Sequence, residues 1–131
     1  MSALRVTSVD AFTPPVFLWE PQRGAPVAVP SPQAAARRLR PWQEVATVAA
    51  YDATGRRVSF SVARRRGRLL GILPRWRDVV VVAGVEPSPA HAPDLRRGLA
   101  AALAPRWGER AALEALSLDD LVARASAALA A

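Results

Sequence analysis

The sequence predicts an α+β fold in which an antiparallel β-meander of about four to six strands packs against C-terminal helices. Three observations point there. Val58, Phe60 and Val62 alternate with Arg57, Ser59 and Ser61 in strict period two; a valine run occupies positions 79 to 82; and Leu95, Leu99, Ala102 and Leu103 recur at helical spacing. The strands precede the main helices, which is the order of segregated α+β architecture and not of alternating βαβ units. At 131 residues the chain is expected to form one domain, residues 1 to 131, burying roughly two-thirds of its unfolded surface.

In chain order, Leu4 to Val9 and Val16 to Glu20 read as short strands around the turn Thr13-Pro14-Pro15. Prolines at 21, 26, 30 and 32 deny the next stretch the donors of a central strand, so it reads as a loop or sheet edge. Ser31 followed by Pro32 is a helix start and Pro41 a stop. Pro32, Ala35, Ala36 and Leu39 share one face of that helix, which leaves Arg37, Arg38 and Arg40 toward water. Trp42 to Asp52, the turn Asp52-Ala53-Thr54-Gly55 and the alternating segment from Val58 form a predicted hairpin. Arg64-Arg65-Arg66-Gly67 reads as a second turn, Arg68 to Leu73 as a third strand broken at Pro74, and Asp78 to Ala83 as a fourth. A helix follows from about Leu95 until Pro105 and Gly108, another covers about Glu109 to Leu116, and Ser117-Leu118-Asp119-Asp120 starts a third. The apolar face of the last helix is Leu118, Leu121, Val122, Ala125 and Leu129, and the valine-rich face of the meander is the expected cover for these helices.

Cysteine is absent, which removes disulfides, thiolate nucleophiles and cysteine metal sites. Lysine is absent too, and with it Schiff-base chemistry and pyridoxal phosphate attachment. All 18 basic residues are arginine, the net charge is +7, and the Ala, Arg, Pro and Gly richness is that of a GC-rich bacterial coding sequence. The opening Met1 to Val6 lacks a basic stretch followed by an apolar run, and Val79 to Val82 is far too short to span a bilayer; a cytoplasmic location is the expectation. Neither GxxxxGK, GxGxxG nor GxSxG occurs.

His91 is the single histidine, in the proline-bracketed loop Ser88 to Pro93, so no histidine-rich metal site can form. Asp94 could orient it as a base, but a lone loop histidine reads as a capping or exposed residue. Asp10, Glu20, Glu44 and Asp52 stand near strand ends and read as solvated carboxylates. No catalytic residue, metal site or cofactor is expected.

The basic residues carry the remaining signal. Arg64, Arg65, Arg66 and Arg68 crowd one predicted reversal, and Arg75 and Arg77 flank Trp76 at another, with Arg56 and Arg57. Arginine interleaved with an aromatic suits a nucleic-acid surface. Successive turns of a meander lie at opposite ends of a sheet, which places the 64 to 68 cluster away from Arg56, Arg57, Arg75 and Arg77. Alternation also sends Trp76 inward, and Trp19, Trp42 and Trp107 read as packing anchors. The expected partner-binding residues are therefore Arg64, Arg65, Arg66, Arg68, Arg75, Trp76 and Arg77, in a small non-catalytic protein-binding module of accessory, adaptor or immunity type that docks on an acidic protein. The alternative is a nucleic-acid-binding domain that sets the hairpin arginines against phosphates.

Overall fold

The computed structural model describes residues 11–21, 23–69, 71 and 73–130; the strand expected over Leu4 to Val9 lies outside them. Five antiparallel strands in two sheets and C-terminal helices make an α+β fold.

The segment Val16–Trp19 (β1) is hydrophobic at every position because both of its faces are covered. It is the central strand of the first sheet, between Val27–Val29 (β2) and Ala49–Tyr51 (β3), in the order β2-β1-β3. β2 is an edge strand, the role that the surrounding prolines allow. One face of the sheet sends Val16, Leu18, Val27, Val29 and Ala50 into a core shared with the helix Pro32–Arg37 (α1) through Ala35, Ala36 and Leu39. α1 begins as its sequence requires: the Ser31 hydroxyl accepts from the Ala34 amide at 3.1 Å, with Pro32 in the first turn. The other face sends Phe17 and Ala28 into a second core built by Ala92–Trp107 (α2), Arg110–Glu114 (α3) and Leu118–Ala128 (α4).

The helices therefore cover the N-terminal sheet and not the valine run as expected. The strand β1, which has side chains of both parities to bury, is the element that accepts them. α2 runs through Pro105 to Trp107 and stops at Gly108, whose φ of 105° leaves the helical region. In α4, Leu121, Ala125 and Leu129 are buried and Ser117 caps the start by accepting from the Asp120 amide, as the pattern predicts.

The meander takes a different form from the one expected. Trp42 to Val48 is irregular except for a 3-10 turn at Val45–Thr47, and the short β3 that follows pairs with β1. Of the predicted first hairpin the turn Asp52 to Gly55 and the Tyr51–Arg57 bridge remain, but Trp42 to Val48 supplies no strand to it. In its place the chain forms a second sheet, a long two-stranded ribbon of Val58–Leu69 (β4) and Leu73–Val85 (β5). Pro74 does not break it, because both strands of a two-stranded ribbon have a free edge where a missing donor costs no ladder bond. Only the base of the ribbon is anchored: Val58, Phe60 and Val85 are buried in the first core, with Val80 and Val82 partly so.

Candidate functional site

Among the described residues, the outer half of the ribbon contributes no side chain to either core. The side chains of Arg64, Arg65 and Arg66 and of Arg75, Trp76, Arg77 and Asp78 are all exposed. From Arg64 to Leu69 the strand rises by roughly 17 Å at 3.3 to 3.4 Å per residue. Register sets the neighbours: Arg64 lies opposite Asp78, Arg65 opposite Arg77, Arg66 opposite Trp76, Gly67 opposite Arg75 and Arg68 opposite Pro74. The arginines expected at opposite ends of a sheet are thus brought together on one arm. The chain reverses at Gly71, with φ of 79°, and the 64 to 67 stretch, where Gly67 has no positive φ, simply continues the strand. Arg56 and Arg57 stay at the base, where the Arg57 amide donates to Glu86 and the Arg56 amide to Asp52.

Partners in register project to the same face of a ladder. Phe60, Val62, Arg64 and Arg66 therefore share a face with Val82, Val80, Asp78 and Trp76, and Arg65 shares the other with Arg75 and Arg77. The first face points into the core at its base, but the body ends before it reaches Trp76, which is 58% exposed. Trp76 thus lies on the face that is buried at the ribbon's base, but it is exposed and not turned into the core as alternation predicts. The acid of the arm, Asp78, lies 3.7 Å from Arg64 on this face. Arg65, Arg75 and Arg77 form no ion pair among the described residues.

Beside β5, α1 and the residues after it form two adjoining recesses that take side chains from both faces of the ribbon. Arg37 and Arg65 line one, of about 440 Å³, over Val79 to Val82; Arg37, Arg40 and Arg77 line the other, of about 340 Å³, with Leu39 and Asp78. Arg38, on the same helix, is paired with Glu20, which also lies 3.7 Å from Arg23. Arg37 and Arg40 were legible in the sequence only as solvated helix residues, because nothing in it shows that α1 lies against β5.

Elsewhere arginines hold the fold together. Arg96 donates to the Leu116 carbonyl at 2.7 Å, Arg106 to the Ala128 carbonyl at 3.0 Å, Arg97 pairs with Asp94, and Arg110 lies 3.5 Å from Glu114. Arg124 sits 5.8 Å from the Trp107 ring centroid. On the arm, Arg65, Arg75 and Arg77 form no such ion pair among the described residues.

No family model, no curated protein and no solved structure matches this chain.

A second cluster surrounds His91. Its Nδ1 is 2.6 Å from Glu86 and its ring lies 5.8 Å from that of Tyr51; it stands at the N-cap of α2 with no side-chain capping hydrogen bond, half-buried and not the capping or exposed side chain expected. Burial, and then the Asp94 charge, push the Tyr51 phenol above its ordinary value. Asp52 is buried instead of solvated: it accepts from the amides of Thr13, Thr54 and Arg56 and from the Thr54 hydroxyl, all within 2.9 Å, and so folds the turn. Among the described residues no group of three His, Cys, Asp or Glu side chains is placed to hold a metal ion, and no helix is long and apolar enough to cross a membrane. Of the remaining tryptophans, Trp19 packs in the second core, while Trp42 and Trp107 are 81% and 46% exposed and do not act as the packing anchors expected.

Proposed function

We propose that this chain is a non-catalytic nucleic-acid-binding protein whose β4–β5 arm enters the major groove of duplex DNA. The observation that carries the reading is the arginine ladder. Residues 64 to 78 contain six arginines and one acid on an anchored, projecting ribbon that buries none of the exposed outer residues. The B-form major groove is wide enough for a two-stranded ribbon, and arginines on both of its faces can reach phosphates on either wall. A cytoplasmic, bacterial protein is part of the same proposal.

With a net arm charge of six minus one, or +5, about five phosphates are neutralised, for a log–log salt slope near −4.5. Gel retardation of a mixed-sequence duplex should weaken about 500-fold between 50 and 200 mM salt. Absence of a retarded band at low salt refutes the reading.

One observation favours a second reading, an acidic protein partner: the recesses between α1 and β5 have an apolar floor, Val79 to Val82 with Ala36 and Leu39, behind their arginines. An acidic segment with aliphatic side chains would match both features. Such a complex would resist salt better than the DNA complex, because burial of apolar area does not release counterions.

A further inference from the structure

We infer that the duplex contact extends from the arm onto the end of α1 and the turn that follows it, where Arg37 and Arg40 take the phosphates of a backbone strand running through the recesses beside β5. The inference rests on the nucleic-acid reading and adds a second binding element to it. Three observations converge. Arg37 shares a recess with Arg65, and Arg37 and Arg40 share the adjoining one with Arg77, so arginines of the ribbon and of the α1 segment line the same pair of recesses. Ion pairing on α1 is selective: Arg38 is neutralised by Glu20, whereas Arg37 and Arg40 form no ion pair among the described residues. Asp78, the acid lining the second recess, lies 3.7 Å from Arg64 and is offset by it.

The geometry divides the labour. A ribbon seated in a groove leaves its flanking phosphates beside the ribbon's base, which is where α1 lies against Val79 to Val82. Arg37 and Arg40 would fix orientation and register and carry no sequence information, as phosphate contacts do. The valine floor offers the sugar edges an apolar bed.

The test uses the full chain and a mixed-sequence DNA duplex of about two helical turns. The double variant Arg37→Ala/Arg40→Ala should lower the magnitude of the salt slope by about 1.8, two contacts at 0.9 each. Arg38→Ala should leave the slope unchanged. Since Arg37 and Arg40 are exposed, thermal unfolding of the double variant should match that of the parent, which separates lost contacts from lost fold. An unchanged slope in Arg37→Ala/Arg40→Ala, while Arg65→Ala/Arg77→Ala still reduces it, overturns the inference and leaves the arm's role standing. A loss of affinity with no change of slope also overturns it, because the helix would then act through apolar contact. Failure of the parent protein to bind the duplex at all removes both.

Discussion

Arg65 and Arg77 stand directly opposite each other on the ribbon, a like-charge cross-strand pair with no carboxylate joined to either among the described residues. Such pairs disfavour the strand pairing that holds them, so this one weakens the element it occupies. Local rules are broken in this way where a surface serves something other than the fold. A polyanion between the two guanidinium groups would turn the repulsion into attraction.

Arg77→Glu converts the pair into an opposite-charge one, worth up to about 1 kcal/mol in favour of the paired ribbon. Amide hydrogen exchange across Ala63 to Gly67 should slow by up to about fivefold, while DNA retardation weakens. A variant that gains protection and keeps full DNA affinity would separate the arm's charge from its proposed use.

Trp76 makes the same point through stability. Its ring is more than half exposed beyond the end of the core, so Trp76→Ala should change the unfolding free energy, read from denaturant melts, by no more than about 0.5 kcal/mol. Leu99, fully buried between α2 and the first sheet, should cost about 2 to 5 kcal/mol when cut to alanine. Equal losses at the two positions would mean that the arm folds back onto the body.

Gly55 lies where the turn after Asp52 meets the start of α2. Its φ is 96°, and an added Cβ would come within 2.4 Å of the Ala92 Cα. Gly55→Ala should therefore cost at least about 2 kcal/mol, from left-handed strain plus a clash with backbone that cannot rotate away. Gly24, with an ordinary φ and open space around it, is the control: Gly24→Ala should be neutral or slightly stabilising in the same thermal melts.

Alkaline pH isolates one side chain. With no lysine, no cysteine and a single tyrosine, Tyr51 is the side chain that titrates between neutrality and the arginine range. Burial, followed by Asp94, raises its folded value above 10.0, so folding favours the neutral phenol. The stabilisation is complete below pH 10, where the unfolded phenol is also protonated, and declines as pH rises through the folded value. Tyrosinate absorbance should show a midpoint above that of the unfolded chain, and Tyr51→Phe should flatten the fall in melting temperature above pH 10. A midpoint at or below the unfolded value would contradict the burial of the ring.

Periodicity and capping made several elements legible. The alternation through Phe60, the Ser31-Pro32 and Ser117 caps and the Leu95-Leu99-Leu103 spacing each specify an element through contacts within a few residues, and each stands where the pattern puts it. The unpaired cations were legible too, since six arginines against one acid between 64 and 78 is a property of the string.

Where those cations gather is a matter of strand register and of how far the core extends, and neither has a local signature. An arginine run reads as a reversal because turns are polar, yet an exposed two-stranded ribbon is equally free to be polar, and Gly71 supplies the positive φ that Gly67 does not. The pairing of Arg65 with Arg77, the exposure of Trp76 and the approach of Arg37 and Arg40 follow from contacts between residues far apart in the chain. Sequence determined which residues are charged and which segments are regular; packing around β1 decided that the outer half of the ribbon would stand outside both cores of the described residues, and so decided what it presents.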